Sequence, residues 1–223
     1  MSRVSVPSVT VIHYVDPLCP WSLGLEEPLR RLKDSYRDRL HVEYRTGVAV
    51  SEIKGWMKEY GFDYDSVAKF HDQVARQTGT DFDHDFLRKT GLKNSLPACL
   101  AFKAAQLQSE EAAGKYLSQM MDAFLVKAQP FTEDALVRLA RRAGLDEKRL
   151  AREMRSKGVK ERVEADSKAM GRDGASFLDL VVVTSDGHVE KLPEAFDAGA
   201  VESTIDRLVP GLPKYAAPGR LRP

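Results

Sequence analysis

The chain switches between two hydrophobic periods. Residues 9–15, VTVIHYV, form a short apolar and β-branched run, which predicts a buried strand. The run that follows, SLGLEEPLRRLKDSY, carries Leu25, Leu29 and Leu32 at helical spacing. RLHVEYRTG alternates polar and apolar positions and predicts a second strand over Leu40–Thr46. From residue 51 to about residue 171 every pattern is helical. EIKGWMKEYG is a short helix, and DSVAKFHDQVARQTG stops at Gly79. Pro97 opens PACLAFKAAQLQ in its first turn, where a missing N–H costs nothing. Ser109 caps SEEAAGKYLSQMMDAFLVK, and Thr132 caps TEDALVRLARRAG, which stops at Gly144. DEKRLAREMRSKG and VKERVEADSKAMG complete the block.

Near residue 175 the period becomes extended again. SFLDLVVV and HVEKL flank TSDG, and the Asp186–Gly187 pair is a strong hairpin signal. AGAVESTIDRLV predicts a final helix, and the Pro- and Gly-rich tail, residues 211–223, is expected to run extended on the surface. The order is strand, helix, strand, helical block, hairpin, helix. It matches a thioredoxin-like α/β fold with an inserted all-helical domain. The expected boundaries are 8–50 and 172–210 for the discontinuous α/β part and 51–171 for the insertion.

Composition narrows the function. At 223 residues and 43% apolar content, the chain can bury one sizeable core. A formal net charge of +1 gives no pull toward nucleic acid or an anionic membrane, so neither is an expected partner. No apolar run reaches the ~20 residues a membrane span needs. The N-terminal stretch has no signal-peptide pattern, which makes the cytoplasm the expected compartment. The two cysteines, Cys19 and Cys99, lie far apart and suggest no disulfide framework.

Most of the remaining motifs read as structure. Asp81, Asp83 and Asp85 alternate like the start of a calcium loop, but Phe86 and Leu92 occupy its glycine and glutamate positions. The five histidines lack paired zinc spacing, so no metal is expected. The basic residues of 138–152 alternate with acids as solvated helix faces do, and Met120, Met121 and Cys99 read as core. Cys19 is the exception. In VDPLCPWSLG it sits where a strand hands over to a helix, immediately before Pro20. Unpaired N–H groups and the positive end of the helix dipole favour a thiolate there. Ser22, three residues on, could donate its hydroxyl to that sulfur. Trp21 is either an aromatic wall for substrate or a packing residue, and Asp16 either tunes the thiol or forms a turn.

DPLCPWS and NSLPACLAFKAAQL together resemble the DsbA-like family of thioredoxin-fold proteins, in its FrnE-like branch. The second stretch is also similar to the Asn-Ser/Thr helix entry of 2-hydroxychromene-2-carboxylate isomerases and kappa-class glutathione transferases. The resemblance implies a thiol–disulfide oxidoreductase with Cys19 as nucleophile and Pro20 and Trp21 beside the substrate. Two departures modify it. Ser22 replaces the second cysteine of Cys-x-x-Cys, so a mixed disulfide cannot be resolved internally. Ala175 and Ser176 stand where the family places the substrate-docking cis-proline, and a trans bond is expected because non-proline cis bonds cost ~2.5–4 kcal/mol. The expected chemistry is monothiol exchange through Cys19, with Ser22 assisting. The partner would be a protein thiol or disulfide, with glutathione as a co-substrate rather than a bound cofactor. The alternatives are a glutathione-dependent transferase or isomerase, in which Ser22 or Cys19 positions the glutathione sulfur, and a non-catalytic adaptor presenting a protein client.

Overall fold

The computed structural model describes residues 9–215; the first expected boundary at residue 8 and the tail beyond 215 lie outside them. Four strands form one sheet in the order β2-β1-β3-β4: β1 (Val9–Val15), β2 (Leu40–Thr46), β3 (Leu180–Thr184) and β4 (Val189–Leu192). β1 pairs parallel with β2 in a register of Val9 to Leu40, and antiparallel with β3, Val9 opposite Thr184. The central strand is buried on both faces. Val9, Val11 and Val15 enter the main core, while Ile12 and Tyr14 join Val181 and Ala169 in a smaller cluster behind the sheet.

α1 (Pro20–Gly24) and α2 (Glu26–Tyr36) connect β1 to β2, and the helical block runs between β2 and β3. The block comprises α3 (Ile53–Glu59), α4 (Tyr64–Thr78), α5 (Phe86–Thr90), α6 (Leu96–Gln106), α7 (Glu110–Met121), α8 (Glu133–Arg142), α9 (Glu147–Glu153) and α10 (Lys157–Arg172). α11 (Ala198–Leu208) closes the chain against α2. The expected caps are in place: Ser109 and Thr132 accept backbone N–H groups at the starts of α7 and α8, and Gly79 adopts a left-handed conformation after α4. α6 threads the interior, and even its Lys103 is largely buried. Ala98, Cys99, Ala101, Phe102, Ala104 and Ala105 are all fully buried, so the inserted helices and the sheet share one continuous core.

Three local expectations differ. The helix after β1 is broken at Leu25, because Pro28 has no N–H to donate to the Gly24 carbonyl. The helix begun at Ser109 passes at Asp122 into a π-type turn, in which the Lys127 N–H reaches the Asp122 carbonyl at 2.8 Å. β3 starts at Leu180 rather than at Ser176, since the Asp179 carboxylate accepts both the N–H and the hydroxyl of Ser176 at 2.9 Å and closes a turn. The described part of the tail, residues 211–215, lies mostly at the surface, as expected, and is held there. The Tyr215 N–H donates to the Ser35 carbonyl at 2.8 Å, and Arg37 lies 4.4 Å over the Tyr215 ring.

Candidate active site

Cys19 is the N-cap of α1. Its extended backbone (φ −98°, ψ 121°) leaves the β1 direction, and Pro20 enters the first helical turn where no N–H is required. The amides of Trp21 and Ser22 and the Ser22 hydroxyl face the sulfur, as a helix-start position predicts, and each favours the thiolate. Two opposing effects are larger. Cys19 is only 8% exposed, and Asp16 lies close by. Burial first and the Asp16 charge second push the thiol up to about 12, so it is a neutral S–H at physiological pH. This corrects the expectation of a resting thiolate: the helix start lowers the pKa but does not outweigh desolvation.

Asp16 does not assist ionisation. It forms the turn expected of an Asp-Pro pair, its Oδ1 accepting the Leu18 N–H at 2.9 Å. Its Oδ2 accepts the Ala49 N–H at 2.7 Å and the Ser95 hydroxyl. The carboxyl is fully enclosed, and burial raises its pKa against these donors. Cys99 belongs to the same cluster. Its S–H reaches the Gly47 carbonyl at 3.2 Å, and burial raises it well above an ordinary thiol. Ser95 and Cys99 come from the NSLPACL stretch, so the inserted helices supply one side of the Cys19 environment.

Above Cys19 opens a cleft of about 530 Å³ between the first helical turn, the 47–50 loop, α3, α4 and the loop before β3. Pro20 and Trp21 line it together with Cys19, Trp56, Phe62, Phe70 and His71. Trp21 stacks on Phe196 at 5.8 Å and meets Phe70 edge-on, so it is both a packing residue and a wall. Ser22 is fully buried beneath the sulfur and is not part of the lining. Ala175 and Ser176 also stand outside it: Ala175 packs behind the sheet beside Met170, and Ser176 is tied to Asp179. The residues of that loop that reach the cleft are Phe177 and Leu178, and every peptide bond among the described residues is trans, as expected at Ala175–Ser176. Phe177 covers Gly47, where an added Cβ would lie 3.0 Å from its ring. The sequence reading missed Phe177, His71 and Trp56. They bear no local motif and come together only through the packing of the inserted helices.

A mixed sheet with a cysteine at the first turn after β1 defines the thioredoxin class. The thioredoxin family model matches residues 12–172, and the chain belongs to this family. Among solved structures, the chain is similar to the cytosolic disulfide reductase DsbM from Pseudomonas aeruginosa. The TM-score is 0.69 at 22% identity, covering 89% of this chain and 99% of that one. The same protein with GSH aligns at TM-score 0.65 and 18% identity over 89% and 98% of the two chains. A 2-hydroxychromene-2-carboxylate isomerase aligns at 0.58 and 17% identity over 89% and 95%. Among curated proteins, the ClpXP adapter protein SpxH of Halalkalibacterium halodurans is 26% identical over 162 residues, 70% of this chain and 52% of its own length. That of Bacillus subtilis is 23% identical over 210 residues, 92% and 69% of the two. The chain spans about half the length of the first of these relatives. The fold is that of the DsbA-like oxidoreductases, and no helix among the described residues is long and apolar enough to cross a membrane.

Proposed function

We propose that the protein is a thiol–disulfide oxidoreductase that works through Cys19 alone, in the cytoplasm. The observation that carries this reading is the sulfur itself, facing two free amides of α1 at the base of an open cleft. The Cys19 sulfur attacks one sulfur of a partner disulfide. A Cys19–partner S–S bond forms, the partner S–S bond breaks, and the Cys19 proton leaves with the departing thiol. Ser22 offers a hydroxyl and no second sulfur, so release requires an external thiol, which takes the partner sulfur and returns Cys19 to S–H. Glutathione or a protein thiol would serve, and the relative solved with GSH supports the former.

Because the resting thiol is neutral, exchange is slow. The test is capture. Cells expressing the chain are quenched with acid, and adducts on the Cys19 peptide are identified by mass spectrometry. A protein or glutathione adduct at Cys19 is expected; an unmodified Cys19 under oxidative stress rejects the proposal. The neutral thiol, together with the similarity to adapter proteins, favours a second reading in which the fold presents a client. A Cys19→Ala variant that retains full cellular function selects that reading instead.

A further inference from the structure

Among the polar groups that line the cleft, His71 is one that thiol exchange does not use. His71, on α4, is 3% exposed and stands among aromatic rings: it stacks on Phe86 at 4.8 Å and meets Phe82 edge-on at 5.8 Å. Its Nδ1 lies 2.8 Å from the His84 carbonyl oxygen, an acceptor only, so the proton sits on Nδ1. Nε2 is then a lone-pair acceptor, and it has no partner among the described residues. Burial, the largest influence on this ring, lowers its pKa and keeps it neutral. Nε2 keeps access to the cleft, where a ligand hydroxyl can donate to it. The rest of the lining is overwhelmingly apolar and aromatic and contains no Lys or Arg. An anionic ligand would therefore lose its hydration with no cation to replace it. A flat ring gains stacking and burial. The volume of about 530 Å³ suits a molecule of one to three rings.

We infer that the cleft is a binding site for a small, uncharged aromatic molecule bearing a hydroxyl, whose O–H donates to His71 Nε2 while its rings lie against the aromatic wall that Trp21 and Phe70 form. The site borders Cys19 but does not depend on its chemistry. Titration calorimetry on the full chain tests it with three probes: 2-naphthol, 2-methoxynaphthalene and 2-naphthalenesulfonate. Naphthol is expected to bind saturably and about fivefold more tightly than its methyl ether, the usual worth of one neutral hydrogen bond. The sulfonate is expected to bind more weakly than either. His71→Phe keeps an aromatic ring at the position and removes the acceptor. It should abolish the preference for naphthol while leaving the ether bound, which also shows the variant is folded. Equal affinity for naphthol and ether, preferred binding of the sulfonate, no saturable heat, or a preference that survives in His71→Phe overturns the inference. Calorimetry needs no turnover, so it reads this site whether or not Cys19 exchanges disulfides.

Discussion

The most exposing prediction concerns how slowly Cys19 reacts. With the thiol at about 12, the thiolate fraction at pH 7.5 is about 3 in 100,000, against about one tenth for a free cysteine of pKa ~8.5. That is a deficit of roughly 3,000-fold. A more basic sulfur is intrinsically more nucleophilic, and a Brønsted slope of ~0.4–0.5 over this difference returns about 30- to 60-fold. The net expectation is alkylation about 50- to 100-fold slower than a free thiol, before any steric protection from its 8% exposure. Iodoacetamide labelling of the Cys19 peptide, followed by mass spectrometry, separates it from Cys99. The rate should climb about tenfold per pH unit from 7 to 10 without levelling. Asp16→Asn removes the second cause of the shift, so it should label faster at every pH in that range. A plateau at or below pH 8.5 would mean that the helix start outweighs burial, and the electrostatic reasoning fails.

The same shift predicts a stability trend. A thiol whose folded pKa exceeds its unfolded value contributes fully below about pH 8.5, and that contribution fades as pH rises toward 12. Denaturant melts at pH 8 and pH 10 should show the wild type losing about 2 kcal/mol more than Cys19→Ala over this interval. Ser22→Cys places a second thiol against the Cys19 sulfur; oxidised glutathione should then close an internal disulfide, and an unchanged thiol titration after treatment would refute that proximity. Gly24→Ala sets a Cβ 2.6 Å from Thr78 Cγ2, where α1 meets α4, and should cost about 1–3 kcal/mol in chemical denaturation; a neutral result would show that this contact yields freely. Asp166→Ala strips the largely buried Lys103 ammonium and the Thr46 N–H of their shared carboxylate partner, and should lower stability by about 2 kcal/mol or more, read by urea melts.

Local patterns in the chain determined the elements. Val9–Val15 and Leu40–Thr46 were legible as strands from β-branched content and alternation, Asp186–Gly187 as the turn between β3 and β4, and Ser109, Thr132 and Gly79 as helix ends. Cys19 at the start of a helix was legible for the same reason: strand-to-helix hand-over and Pro20 are short-range features. Only the tertiary structure decided what that thiol experiences. Ser95 reaches Asp16 across 79 positions of chain, and His71, Phe177 and Trp56 converge on one cleft from separate segments. Helix position acts through the nearest amides, which a sequence window contains. Desolvation depends on every atom that excludes water, and those atoms come from helices whose packing no local period specifies.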